Sequence, residues 1–243
     1  MSSLEWLPVV SDPDVMNRFL EKVGVPKQWG ISDIVSLDEE LLNSVPKPVY
    51  AVLLLFPISE DDYEYCMEQE QIARYGHPEL DRDIYFMHQT ITNGCGVVAL
   101  IHAIANNIEH LDLPSDSIIK RFIDETRRIS PQYKAEVLKT KRDICLALKG
   151  SYEDGESFGT KCEYHYITLI HFNSKLYELD GRKLAPVVHG PTSNETFLKD
   201  AARVCKEYME RGPMVISRTN RRSRTFEPRN IRFTALAFGA VSM

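Results

Sequence analysis

The chain has 243 residues, of which 43% are hydrophobic and 26% charged, which is ordinary for a soluble globular protein of one large or two small domains. Its longest apolar runs, 52–56 and 97–101, are too short to cross a bilayer, and its first residues lack the features of a signal peptide. The odd, scattered set of five cysteines argues for reduced thiols in the cytosol and against a disulfide framework: Cys66, Cys95, Cys145, Cys162 and Cys205.

The charge is unevenly distributed. The net charge is −6, yet 211–232 contains seven arginines and one glutamate, a local charge of +6, which leaves −12 on the rest of the chain. An acidic body attracts a basic partner and repels nucleic acid. The arginine-rich segment is compatible with a nucleic-acid or targeting patch, but its composition is more typical of a solvated, mobile loop.

In chain order, the first elements follow from apolar periodicity and from the residues that begin and end helices. An amphipathic helix is predicted after Asp12 and ends at Gly24. A buried strand is predicted over 49–56, where Pro57 stops it. A mostly polar helix is expected over 60–75.

Two more helices are expected after the apolar helix that begins near residue 95. They cover 115–127 and 131–148, with Ser115 and Ser130 as their N-caps. A loop with three glycines follows over 150–159, and its lack of any apolar period predicts flexibility.

A β-hairpin is predicted next, with strands over 163–172 and 175–180. Residues 173–174 form a two-residue turn, which pairs Phe172 with Lys175.

Cys95 is the first candidate for chemistry. Gly94 and Gly96 flank it and allow a sharp turn, and the apolar helix follows at once. A thiol at a helix N-terminus meets unpaired N–H groups and the positive end of the dipole, which favour thiolate. Gln89, six residues upstream, could offer its amide to a developing oxyanion. A buried structural cysteine is the plainer interpretation, so a nucleophile also needs a base.

The hairpin offers that base. Its register places His165 diagonal to Asp180, so the carboxylate could accept the Nδ1–H of His165 and leave Nε2 facing a thiol. The same register places His171 diagonal to Glu178, so pairing alone does not choose between the two histidines.

Three other features are weaker candidates. His102 lies two turns from Cys95 and is expected to be a core histidine with a hydrogen-bond partner. His88 alternates to the side opposite Gln89. Cys162 and His165 have half of a zinc-ligand spacing, but no second pair completes it, so no metal is expected.

These motifs resemble the ubiquitin carboxyl-terminal hydrolase family, most of all its short members of the L3 isozyme type. The resemblance is carried by 85–107, His165 and 176–182, and by 6–8, 51–57, 189–193 and 204–207. Several long motifs in the same order make this signal specific.

The resemblance implies a cysteine peptidase of the α/β (α+β) class on a papain-like scaffold, in one catalytic domain over 1–243. A central antiparallel sheet would be flanked by helices, with a knotted backbone. By matching position, Cys95 is the nucleophile, His165 the general base and then acid, and Asp180 the orienting carboxylate. Gln89 and the Cys95 backbone N–H would form the oxyanion hole.

The implied partner is ubiquitin, or a ubiquitin-like modifier such as NEDD8, with no nucleic acid, membrane or cofactor. A crossover loop, 150–161, would arch over the site and admit only small adducts or flexible peptides, since it is slightly shorter here than in similar members. Its gating residues would be Gly150, Ser151, Tyr152, Glu153, Asp154, Gly155, Glu156, Ser157 and Phe158. The expected ubiquitin contacts are Pro8, Val9, Val10, Ser11, Asp12, Pro13, Asn230, Ile231, Arg232, Phe233, Thr234 and Ala235. The expected state is a free-standing monomer in the cytoplasm, with the nucleus as a further location.

The chain departs from the family pattern at Gly94, at Val97 and in a basic insertion over about 213–228. The insertion could weaken ubiquitin affinity, recruit another partner or have no effect. Two alternatives to a ubiquitin hydrolase remain: a protein that sequesters ubiquitin, and an enzyme acting mainly on a ubiquitin-like modifier.

Overall fold

The structure is a computed structural model that describes residues 4–57, 83–152, 164–219 and 233–241, with the backbone alone over 211–219. The described helices are α1 (Pro13–Val23), α2 (Glu39–Leu42), α3 (Cys95–Ala105), α4 (Ile118–Thr126), α5 (Pro131–Thr140), α6 (Arg142–Lys149) and α7 (Phe197–Thr219), with a 3-10 turn at Ile108–His110. The described strands are β1 (Trp29–Asp33), β2 (Val49–Pro57), β3 (Tyr164–Phe172), β4 (Lys175–Leu179), β5 (Val187–Pro191) and β6 (Thr234–Ala240).

All six strands form one antiparallel sheet in the order β1-β6-β2-β3-β4-β5. Strand β2 is central and buried on both faces. Ala51 and Leu53 join the core beneath α1 and α3–α6, whereas Val52 and Leu54 join a second core beneath α2 and α7. The predicted α/β fold, with helices on both sides of an antiparallel sheet, is confirmed.

Helix α1 forms where its capping residues predict. The Asp12 side chain accepts hydrogen bonds from the N–H groups of Asp14 (2.8 Å) and Val15, and Pro13 occupies the first turn. The helix ends at Gly24, whose φ of +97° is a left-handed conformation that glycine adopts without strain.

The β3–β4 hairpin also has the predicted register. Asn173 and Ser174 both have positive φ, as a tight two-residue hairpin turn requires, and Phe172 pairs with Lys175. The pairing continues to Thr168 and Leu179, so Asp180 follows the last paired residue of β4.

Two helix predictions need correction. Ser117, and not Ser115, caps α4, because Ser115 lies inside a turn closed by a hydrogen bond from the Ser117 N–H to the Pro114 carbonyl. The predicted helix 131–148 is two helices, since Lys141 has a ψ of +86° and interrupts the helical backbone. Ser130 caps α5 as predicted. The interruption lets α6 pack against α1.

The prediction of a loop for the arginine-rich segment also needs partial correction. Helix α7 extends to Thr219, so the beginning of 211–232 is helical and not a loop. The predicted helix 60–75 and the remainder of the basic insertion lie outside the described residues, as do parts of the chain on which the expected knot depends. Within the described ranges, no helix is both long enough and apolar enough to span a membrane.

Candidate active site

Cys95 is the first residue of α3, and its side chain is buried. The start of this helix packs closely on its neighbours because Gly96 has no side chain. A Cβ on Gly96 would lie 2.5 Å from the Cβ of Val9 and 3.3 Å from the ring of Tyr166. The N-terminus of α3 is therefore wedged between the N-terminal segment and β3, next to the residue that precedes Tyr166.

That residue is His165, and it contacts Asp180. The Nε2 of His165 lies 2.6 Å from Oδ1 of Asp180, and both side chains are only 2% exposed. The same Oδ1 accepts a hydrogen bond from the Arg182 N–H (2.9 Å), and the edge of the Phe56 ring packs against the imidazole. Burial alone would raise the pKa of Asp180, but the charge and hydrogen bond of His165 outweigh it and hold this pKa below its ordinary value. Asp180 is thus a carboxylate, and the Nε2–H donates to it.

The predicted imidazole orientation is wrong. The expected contact was Nδ1–H to Asp180, whereas the structure places Nε2 there. Strand register determines which residues meet but not which side-chain rotamer they adopt. The Nδ1 of His165 is buried and has no hydrogen-bond partner among the described residues, so it is the nitrogen left with a basic lone pair.

The structure also separates the two candidate histidines. The Nδ1 of His171 pairs with Oδ1 of Asn194 at 2.8 Å in an exposed contact. Glu178 is instead held by Lys183 and His189. Of the two candidates, His165 forms the imidazole–carboxylate pair that the hairpin register allowed, and His171 does not.

Gln89 is held beside Gly181, the residue that follows Asp180. Its backbone N–H donates to the Gly181 carbonyl at 2.7 Å, and a Cβ on Gly181 would lie 3.0 Å from both N and Cβ of Gln89 and 3.1 Å from Val98 of α3. The Oε1 of Gln89 is buried without a hydrogen-bond partner in the part of the chain that the structure describes. A buried polar atom that the fold does not use is a common feature of functional sites.

Asn106 and His102 hold this segment, and sequence reasoning missed the first of them. Asn106 exchanges two hydrogen bonds with the backbone of Tyr85, at 2.8 and 2.9 Å, and the Met87 N–H donates to Nε2 of His102 at 3.0 Å. His102 is a buried core histidine with a partner, as predicted, and burial lowers its pKa from 6.5 to about 3. The sequence did offer a signal for Asn106, because it lies four positions after His102 at the end of an otherwise apolar helix, so both side chains face the same side. His88 lies away from them, against Gln132 and Leu184.

The N-terminal segment is tied to the start of the crossover loop. The Tyr152 hydroxyl donates to the Pro8 carbonyl and accepts from the Val10 N–H at 3.3 Å, while Nε of Arg18 donates to the Ser151 carbonyl at 2.6 Å. The Val9 side chain is 7% exposed because it packs on α3.

The other residues predicted to contact ubiquitin or to gate the site have structural roles, are partly exposed or lie outside the described residues. Asp12 caps α1, Ala235 is buried in β6, and Phe233 and Thr234 are half-buried. Three contact residues and most of the gating loop lie outside the described residues: Asn230, Ile231, Arg232, Glu153, Asp154, Gly155, Glu156, Ser157 and Phe158. Cys162 lies outside them as well, and among the described residues no cluster of three histidine, cysteine or acidic side chains could hold a metal ion.

A thiol at the start of a buried helix, with an imidazole–carboxylate pair on the strand that packs against this helix start, is the arrangement of a cysteine hydrolase. The comparisons with known proteins agree. A model of "Ubiquitin carboxyl-terminal hydrolase, family 1" matches residues 6–210. A Drosophila melanogaster ubiquitin carboxyl-terminal hydrolase is 35% identical over 240 residues, which cover 98% of both chains. Human ubiquitin carboxyl-terminal hydrolase isozyme L1 is 39% identical over 209 residues, 86% of this chain and 93% of that one.

Among solved structures, the catalytic domain of Trichinella spiralis UCH37 bound to ubiquitin vinyl methyl ester superposes with a TM-score of 0.73. Its identity is 22%, and the match covers 98% of this chain and 96% of that one. This likeness supports the predicted papain-like fold. The chain belongs to the ubiquitin carboxyl-terminal hydrolase family, whose members are cysteine peptidases.

Proposed function

We propose that the chain removes small adducts or flexible peptides from the terminal glycine of ubiquitin through an acyl-enzyme on Cys95. The observation that carries this proposal is the buried His165–Asp180 pair, because Tyr166, the residue after His165, packs against the helix start that holds Cys95.

In the first half of the proposed reaction, the Cys95 thiolate attacks the glycine carbonyl. The N–H groups at the start of α3 and the Gln89 amide stabilise the oxyanion as it forms. The imidazolium of His165, held by Asp180 through Nε2, protonates the leaving amine or thiol from Nδ1.

In the second half, the imidazole is neutral and acts as a base. Nδ1 takes a proton from water, and the resulting hydroxide attacks the acyl-enzyme. Collapse of the second tetrahedral intermediate breaks the carbon–sulfur bond and releases the ubiquitin carboxylate. No cofactor is needed for either half.

Ubiquitin is supported as the substrate by the relatives' names and by the charge of the chain. The curated relatives are named as ubiquitin hydrolases, and the Trichinella spiralis neighbour is bound to a ubiquitin ester. Outside 211–232 the chain carries a charge of −12, which complements a basic partner.

The preference for small adducts rests on the crossover loop. Tyr152 and Ser151 anchor the loop's first residues to the N-terminal segment and to Arg18, so this end of the loop has little freedom to move aside. A loop of modest length with a fixed end limits the size of the leaving group that passes beneath it.

The test is hydrolysis of three ubiquitin derivatives: a C-terminal fluorogenic amide, a fusion to an unstructured peptide and a fusion to a folded protein. Wild type should cleave the first two, and Cys95→Ala should cleave none while still binding ubiquitin. Binding without cleavage by wild type would favour ubiquitin sequestration. Faster cleavage of the matching NEDD8 amide would favour the ubiquitin-like modifier, and efficient cleavage of the folded fusion would contradict the size limit.

A further inference from the structure

A second cluster of charged side chains lies close enough to Asp180 to act on its charge. Glu178 of β4 is 1% exposed, and Lys183 is 3% exposed. The Oε1 of Glu178 lies 2.6 Å from Nζ of Lys183, and its Oε2 lies 2.7 Å from Nε2 of His189. The proposed reaction uses none of these three side chains.

Such a cluster is a poor device for stability alone. Burial would raise the pKa of Glu178, and only the charges and hydrogen bonds of Lys183 and His189 hold that pKa well below its ordinary value. Apolar side chains of similar volume often stabilise a core as well as a buried ion pair does, whereas an ion pair specifies one geometry. The geometry that this pair specifies is that of the neighbouring turn.

Lys183 is the last residue of a four-residue turn, 180–183, that begins at Asp180. Its N–H donates to the Asp180 carbonyl at 2.9 Å and closes the turn. Inside the turn, the Arg182 N–H donates to the Asp180 carboxylate, and the Gly181 carbonyl accepts the Gln89 N–H. One short turn therefore contacts both halves of the site: the carboxylate that orients His165 and the backbone that carries Gln89.

The other side of the cluster is fixed to the scaffold. His189 lies in β5, and its carbonyl accepts a hydrogen bond from Nη2 of Arg203 in α7 at 3.1 Å. Glu178 itself is paired within the sheet. The Lys183 side chain is thus held to the sheet and to α7 through Glu178.

We propose that Lys183 is a positioning residue: its ion pair with Glu178 fixes the turn 180–183, and this turn aligns His165 and Gln89 together. The proposal rests on the proposed function for its kinetic consequences but not for its structural ones. Loss of the pair displaces both groups at once, and displacements of about 1 Å in such constellations lower rates by about 100-fold.

The experiment compares wild type with Lys183→Met, which keeps the aliphatic stem, and Glu178→Gln. The control is Lys199→Met, which removes an exposed lysine paired with Glu39 on α2. Each variant is assayed on the ubiquitin fluorogenic amide below its unfolding temperature. We expect kcat to fall about 10- to 100-fold in both pair variants with KM unchanged, and to stay at the wild-type value in the control.

A second measurement does not depend on ubiquitin. In ¹⁵N-resolved NMR, the His165 Nε2–H and the Gln89 amide proton report the hydrogen bonds to Asp180 and Gly181. Both signals should shift together in Lys183→Met and Glu178→Gln and stay in place in Lys199→Met. A folded Lys183→Met protein with both signals unmoved, or with normal kcat, overturns the proposal. Should wild type prove inactive on ubiquitin, the proposed function fails, and the NMR signals still decide the role of Lys183.

Discussion

Replacement of Asp180 separates charge from geometry at the His165 contact. Asparagine keeps an oxygen that can accept the Nε2–H but removes the negative charge. Alanine removes the acceptor as well.

The size of each effect follows from the contact. A buried 2.6 Å hydrogen bond to a carboxylate is charge-assisted and contributes about 1.5–3 kcal/mol, whereas a neutral bond contributes about 0.5–1.5 kcal/mol. Asparagine should therefore remove about 1–1.5 kcal/mol of imidazolium stabilisation, or about tenfold in kcat. Alanine removes the same charge and also leaves the buried His165 Nε2–H without this acceptor, at about a further 1–3 kcal/mol, so kcat should fall about 30- to 2,000-fold.

The assay is steady-state hydrolysis of the ubiquitin fluorogenic amide by wild type, Asp180→Asn and Asp180→Ala. Urea unfolding at pH 3 and pH 6 provides an independent check. The folded-state pKa of Asp180 lies below its ordinary value of 3.8, so its stabilisation is present above that value and is lost as the pH falls through the lowered pKa. The stability that this carboxylate adds at pH 6 relative to pH 3 should be absent from Asp180→Asn. Equal kcat values for the asparagine and alanine variants would refute the reasoning.

Three further predictions concern stability and binding. The pKa of His102 is about 3 in the folded protein and 6.5 in the unfolded chain, so the free energy of unfolding of wild type should fall by up to about 1.4 kcal/mol per pH unit between pH 6.5 and pH 3. Urea unfolding of His102→Gln should show a weaker dependence of this free energy on pH, and an equal dependence contradicts the prediction. Tyr152→Phe removes two hydrogen bonds to the N-terminal segment and should cost about 1–3 kcal/mol and raise KM for ubiquitin, whereas exposed Tyr133→Phe should change neither. Gly96→Ala places a Cβ 2.5 Å from a neighbouring side chain and should cost about 1–3 kcal/mol by thermal unfolding, more than Gly150→Ala, whose nearest contact would be 3.3 Å; the reverse order would refute the packing argument.

Local chemistry in the sequence was sufficient for much of the fold. The cap at Asp12 and the turn at 173–174 each depend on neighbouring residues, so they could be located without tertiary information. The hairpin register then reduced the candidates for the general base to two histidines, and the resemblance to the ubiquitin carboxyl-terminal hydrolase family selected His165.

The details that failed depend on contacts between distant segments. The orientation of the His165 ring involves contacts with Phe56 and Asp180, which strand pairing does not reveal. The cap at Ser117 is an exception, because there a local turn from Pro114 to Ser117 competes with a helix start at Ser115. The buried pair of Glu178 and Lys183 was not predicted, because charged residues near a strand end are usually exposed.

The most direct test of the central claim is to identify the atom that ubiquitin modifies. The full-length chain would be treated with ubiquitin vinyl methyl ester, and the adduct would be located by peptide mass spectrometry. We expect one ubiquitin per chain on Cys95, no adduct on Cys95→Ala, and slower labelling of Asp180→Ala. An adduct on another cysteine, or no adduct on a folded wild-type chain, would contradict the proposal that Cys95 is the nucleophile of a ubiquitin hydrolase.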